Sequence, residues 1–145
     1  MNTILIALDF SVFSPEVKAK GYALAQRLGA TVTLVSITPI YMEYVRPDTG
    51  EVMVEDPAIR QQKAEVMLKE ISGTHRDVPT EILSLVGDPK KSILETIARI
   101  NPAFVVVGTH GRTGLSHFLV GSVAEYVIRH SPIPVLVVPY RTDQH

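Results

Sequence analysis

Short runs of β-branched and aliphatic residues alternate along this chain with longer segments whose apolar residues recur every three or four positions. That alternation admits few folds. Thr3–Leu8 is one unbroken apolar run, the pattern of a strand buried on both faces. Ser14 followed by Pro15 reads as an N-cap and first helical residue, opening a helix that ends at Gly29. Thr31–Ile37 is β-branched at nearly every position. Helices over Ala58–Ser72, Lys90–Ile100 and Ser122–His130 then alternate with strands over Thr80–Val86, Ala103–Val107 and Pro134–Val138. Five strands separated by four helices imply an α/β fold: an open five-stranded parallel sheet with right-handed crossovers and helices on both faces. If strands 1 to 3 wind outward and strand 4 returns beside strand 1, the order is 3-2-1-4-5. A ligand crevice then opens between strands 1 and 4, at the carboxyl ends, where the winding reverses. Asp9 and the loop beginning at Gly108 lie just past those two ends.

One segment departs from the regular alternation. Residues 38–57 form a connection far longer than the roughly 2–6 residues usual between strand and helix. Within it Tyr44-Val45-Arg46 and Glu51-Val52-Met53-Val54 flank Pro47-Asp48-Thr49-Gly50, a turn sequence, so the reading is a small hairpin. Its position after strand 2 makes it a variable loop, a lid, or a partner surface. At 145 residues, with no internal repeat or linker, the chain reads as a single domain over residues 1–145.

Charge and composition exclude several functions. Fourteen Lys and Arg against fifteen Asp and Glu supply no concentrated basic face for nucleic acid. The absence of cysteine removes disulfides, thiol catalysis and thiolate metal sites. The five histidines have no H-E-x-x-H or comparable spacing. The longest apolar run falls short of the roughly 20 residues that span a bilayer. The first nine residues lack the basic start of a secretory signal, so the expectation is a cytoplasmic chain without membrane insertion.

The segment with the most chemistry is Gly108-Thr109-His110-Gly111-Arg112-Thr113-Gly114, running on to Gly121-Ser122 with the spacing G-x2-G-x9-G-S. Glycines let backbone N–H groups approach an anion without an intervening Cβ. Gly121-Ser122 opens a helix whose free N–H groups and positive dipole end would face the same crevice. Together they describe a phosphate cradle. A structural loop is the alternative, since Ser122-Val123-Ala124-Glu125 also satisfies the capping-box pattern. No G-x-G-x-x-G follows the first strand and no G-x-x-x-x-G-K-[ST] occurs anywhere; Gly87-Asp88-Pro89-Lys90-Lys91-Ser92 reads as a helix start.

Ile4-Leu5-Ile6-Ala7-Leu8-Asp9-Phe10-Ser11 with Ser14, Gly87-Asp88-Pro89, Gly108-Thr109-His110-Gly111, Gly121-Ser122 and Pro134-Val135-Leu136-Val137-Val138-Pro139 together resemble the ATP-binding branch of the universal stress protein (UspA) superfamily. The resemblance implies a Rossmann-like, adenine nucleotide alpha hydrolase-like sheet. It implies that Asp9 bonds the ribose hydroxyls, that Ala7 lines the adenine pocket and that Ile37 reads adenine through its backbone. Gly108, Gly111, Gly121, Ser122 and Val123 would hold ribose and phosphates, and Mg²⁺ would bridge the phosphates of ATP. Arg112 either pairs with a phosphate or is simply solvated. His110 and His117 read as loop and surface residues. The resemblance also implies a homodimer through the C-terminal strand Pro134–Val138, whose apolar edge needs covering. The function expected is a nucleotide-dependent regulatory or stress-response dimer acting on an unknown protein partner, with no or very slow ATP hydrolysis. The alternatives are a slow ATPase or nucleotidyl hydrolase on the same fold, and a nucleotide-free interaction module.

Overall fold

A computed structural model describes residues 2–11, 14–41, 43–109 and 120–139. Five parallel strands form one sheet: β1 (Thr3–Ala7), β2 (Thr31–Thr38), β5 (Thr80–Val86), β6 (Phe104–Gly108) and β7 (Val135–Val138). Two short strands, β3 (Glu43–Val45) and β4 (Val52–Val54), make the hairpin read from residues 38–57. The helices are α1 (Ser14–Leu28), α2 (Pro57–Thr74), α3 (Pro89–Ile100) and α4 (Ser122–His130). The sheet order is β5-β2-β1-β6-β7, which is the expected 3-2-1-4-5 with the hairpin strands counted in.

Alternation along the strands divides the interior into two layers. Ile4 and Ile6 of β1, Val32 and Leu34 of β2 and Val106 of β6 are buried with Val17, Tyr22 and Ala25 of α1 and Leu68 of α2. Leu5, Val35, Ile37, Val105 and Val107 point the other way, against Ile93 and Ile97 of α3 and Ala124 and Val127 of α4. α1 and α2 therefore cover one face, α3 and α4 the other.

Local chemistry sets the helix ends. Asp56 and Asp88 cap α2 and α3, accepting from the N–H groups of Ala58 (2.9 Å) and Lys90 (3.3 Å), each followed by a proline at the first helical position. Asn101 takes the left-handed conformation (φ 48°) that ends α3, with Pro102 behind it. In the hairpin Gly50 has φ 72°, and its N–H returns to the Arg46 carbonyl (2.9 Å).

Two of the expected caps are different in the structure. Ser14 is the first residue of α1 and its hydroxyl donates to Asp9 Oδ1 (3.2 Å). Ser122 is likewise inside α4; the N-cap is Gly121, with no side-chain cap, and Glu125 bonds Arg129 (3.0 Å) one turn on. With Gly121 at the cap, Glu125 falls one position beyond the capping-box site, and its carboxylate meets Arg129 one turn on instead.

Candidate functional site

The ladder between β1 and β6 stops at Ile6–Val106, yet both strands continue. Ala7 stays with β2, paired to Val35, and the Leu8 N–H also reaches the Val35 carbonyl (2.9 Å). On the other side β6 follows β7 as far as Gly108–Val138. The sheet therefore splits at its carboxyl edge between its central strands. This is the reversal point at which such sheets take ligands.

Asp9 stands on the β1 side of the split. Its Oδ1 accepts from the Ser11 N–H (2.9 Å) and from the Ser14 hydroxyl. The intervening Phe10 has φ 58°, a sparsely populated conformation for a bulky residue, while its side chain packs among the core residues under α1. Core packing of Phe10 and two hydrogen bonds thus fix the carboxylate's orientation. Sequence reasoning found the acid and missed its supports, although the spacing Asp9-x-Ser11-x-x-Ser14 was the signal for them.

On the β6 side, the Thr109 N–H donates to the Val138 carbonyl (3.1 Å), and the Thr109 carbonyl accepts from the Gly121 N–H. That second bond seats the start of α4 against the end of β6. Gly121 is buried, and Glu125 N–H to Gly121 O is the first bond of the helix (3.0 Å). The N–H groups of Ser122, Val123 and Ala124 precede that bond and have no intrahelical acceptor. A helix start of this kind, with a glycine in place of a capping side chain, can receive the oxygens of an anion. Ser122 is exposed beside it and Val123 is half-buried.

Ala7 ends β1 and packs toward the α3/α4 layer. Ile37 is buried in that layer opposite Leu85, so only its backbone is open to a ligand role. The structure thus brings Ala7, Asp9, Ile37, Gly108, Gly121, Ser122 and Val123 to one edge of the sheet. Gly111 and Arg112, with His110 and His117, lie outside the described residues. Among the described residues no group of three or more His, Cys, Asp or Glu side chains could hold a metal ion. None of their helices is long and apolar enough to cross a membrane.

The chain is similar along nearly its whole length to known proteins. Residues 1–139 match the model of the universal stress protein family. A universal stress protein of Staphylococcus aureus (strain USA300) is 30% identical over 153 aligned residues, covering 99% of this chain and 86% of the relative. Two solved structures share the fold: the universal stress protein UspA from Lactobacillus plantarum (TM-score 0.70, 23% identity, 94% of this chain and 97% of that one) and the universal stress protein from Archaeoglobus fulgidus in complex with dAMP (TM-score 0.65, 22% identity, 95% and 97%). With a family match along nearly its whole length and a sheet of the same architecture, the chain belongs to the universal stress protein family.

Proposed function

We propose that the chain is a single-domain, cytoplasmic, nucleotide-binding stress-response protein whose ligand is ATP, and that it acts as a homodimer whose nucleotide occupancy alters the surface offered to a protein partner. The observation that carries this reading is the convergence of a fixed carboxylate and a glycine-capped helix start on the split between β1 and β6. Asp9 would receive the ribose hydroxyls and the amides of Ser122 and Val123 the phosphates, with the Gly108 end of β6 lying close to the sugar. Gly111 and Arg112 belong to the same cradle through the G-x2-G-x9-G-S spacing. The dAMP complex of the Archaeoglobus fulgidus relative supports an adenine nucleotide on this architecture.

Mg²⁺ fits such a site as a companion of the phosphates, because it keeps much of its water and binds few protein ligands. Asp9 would be the acid at the ribose end, and Ser122 would offer a hydroxyl at the phosphate end. The ion would neutralise phosphate charge there. The sequence carries no Walker-type lysine, so binding with no or very slow turnover is the reading we adopt. Steady ATP consumption above about 0.1 s⁻¹, approaching the ordinary enzyme range, would overturn that part.

The dimer part rests on the two sheet edges. The carbonyls of Pro134 and Val138 accept from Val105 of β6 and from Thr109 just past its end, so the main-chain groups of Val135 and Val137 face away from the sheet. At the opposite edge the outward Ser84 carbonyl is taken by the Gln61 side chain (2.8 Å), and the Ser84 hydroxyl donates back to the Gln61 carbonyl (2.8 Å). That contact occupies an outward acceptor of the β5 edge, which favours the β7 edge as the place for a second chain.

The test begins with the freshly purified protein, denatured so that any released nucleotide can be identified, followed by calorimetric titration with Mg-ATP. We expect ATP binding in the native chain and at least a tenfold loss in Gly121→Val, whose side chain would fill the cradle, with the melting temperature of the dimer largely retained. Unchanged affinity in that variant would remove α4 from the site. Silence of the native chain toward every adenine nucleotide would leave an interaction module.

A further inference from the structure

The open edge of β7 is short, and both of its ends are stopped. The main-chain groups of Val135 and Val137 face away from β6, while those of Leu136 and Val138 face it. Ahead of β7, the Ser131 hydroxyl donates to the Ile133 carbonyl (2.8 Å) and accepts from the Ile133 N–H (3.2 Å). Ser131 is itself held at the end of α4, its N–H on the Val127 carbonyl (2.9 Å). Past β7, Pro139 has no N–H to give. Among the described residues of this edge, Val135 and Val137 are therefore the two that offer both a donor and an acceptor.

We propose that β7 pairs with β7 of a second copy in a single register, antiparallel and centred on Leu136. This deepens, and rests on, the homodimer reading above. A closed pair of identical chains sets the same strand against itself about a two-fold axis, which makes the two strands antiparallel. Val135 of one protomer then faces Val137 of its partner, and the reverse pair forms by symmetry. Each pair exchanges both of its main-chain bonds, so every open group of the two edges is used.

The neighbouring registers fail at the two stops. Sliding the partner by two residues one way sets Val135 opposite Val135 and Val137 opposite Ile133, whose groups Ser131 already holds. Sliding it as far the other way sets Val137 opposite Val137 and Val135 opposite Pro139, which leaves the Val135 carbonyl without a donor. A slide of one residue turns outward groups onto inward ones and swaps the side-chain faces.

The side chains agree with this centre. Val138 packs in the layer under α1, and Leu136, two residues back, shares its face. Leu136 is 36% exposed and lines a groove of about 450 Å³ whose α1 wall carries Lys20, Leu24 and Arg27. The proposed register brings the two Leu136 side chains together as a non-hydrogen-bonded pair, the closer of the two kinds, and so covers apolar surface at each groove. On the reverse face Val135 and Val137 meet the partner's, which continues the layer under α3 and α4.

The chain has no cysteine, so single cysteines report the register directly. Light scattering gives the mass of the native protein and of Leu136→Cys, Val135→Cys and Val137→Cys under reducing conditions. Each variant is then oxidised with glutathione disulfide and followed on a non-reducing gel. In the proposed register the two Leu136 positions stand about 4.5 Å apart between Cα atoms, inside the roughly 4.4–6.8 Å that a disulfide spans. Each of the other two positions lies about 8 Å from its own copy, beyond that reach. We expect Leu136→Cys to form the covalent dimer at least about tenfold faster than the other two variants. Faster cross-linking of Val135→Cys or Val137→Cys overturns the register and leaves the dimer standing. A dimeric protein in which none of the three cross-links places the interface elsewhere and overturns the proposal. A monomeric native chain overturns the register and the homodimer reading together.

Discussion

Phe10 holds a positive φ that costs a bulky residue on the order of 1 kcal/mol, and its packing under α1 is what keeps it there. The consequence is local: the turn aims the Asp9 carboxylate, and Ser14 bonds the same oxygen that accepts from the Ser11 N–H. Ser14→Ala removes the hydroxyl and should lower Mg-ATP affinity about three- to tenfold while reducing stability by only about 1 kcal/mol. Ser14→Thr, which restores the donor, should recover binding; calorimetry on the two variants with a thermal melt checks this. An equal loss of binding in Ser14→Thr would make the position one of shape rather than of hydrogen bonding. The acid at the end of the first strand was legible in the sequence because topology alone puts that position at the crevice. The role of Ser14 was hidden, since a serine before a proline gives the same signal whether its hydroxyl caps a helix or holds a neighbouring carboxylate. Ser122 and Glu125 misled in the same way. Their spacing fits a capping box, and only the placement of Gly121 at the cap shows that Glu125 turns to Arg129.

Among the elements, α1 lies close to β1 through a glycine. A Cβ on Gly21 would come within 2.5 Å of Ile6 Cδ1 and 2.7 Å of its Cγ1, and Ile6 is fully buried. Gly21→Ala should therefore lower stability by about 1–3 kcal/mol, despite the better helix propensity of alanine, as a denaturant titration would show. One position on, Tyr22 is buried, stacks on the His75 ring (centroids 3.8 Å apart) and bonds the Thr80 hydroxyl (2.9 Å). Burial raises its hydroxyl above the usual value of 10.0, the Thr80 hydrogen bond opposes the rise, and the Asp77 charge adds to it. A group that holds its proton more tightly when folded contributes stability that is complete below the unfolded value and lost as the pH climbs through the folded one. Stability should thus fall above about pH 10, and Tyr22→Phe should flatten that alkaline limb at a cost near neutral pH of about 1 kcal/mol. Urea titrations at pH 8 and pH 11 separate the two effects. The strands were legible to within a residue because β-branched runs bounded by glycine, proline or asparagine have one reading. The hairpin was legible because Pro47-Asp48-Thr49-Gly50 is turn chemistry between two apolar stretches. Which of its faces carries the tyrosine was not, since a register of three residues is set by pairing and not by pattern.

For the molecule as a whole, the two sheet edges differ in what they leave available. Val137→Pro removes an outward-facing N–H of β7 and leaves the bonds to β6 in place, the setting in which an edge strand tolerates proline. Light scattering of that variant should report a monomer where the native chain reports a dimer, and a native mass in the variant would place the interface elsewhere. Gln61 has a different effect at the far edge, where its amide sits on the Ser84 carbonyl that an incoming strand would need. A sheet with two open sides is a link and can be extended without end into a filament. One with a single open side is a terminus: were one partner to join at β7, ten strands would form a continuous surface with no second open side. In the homodimer proposed above, the amide of Gln61 would help keep the assembly finite, and losing it would put at risk the number of copies at which growth stops.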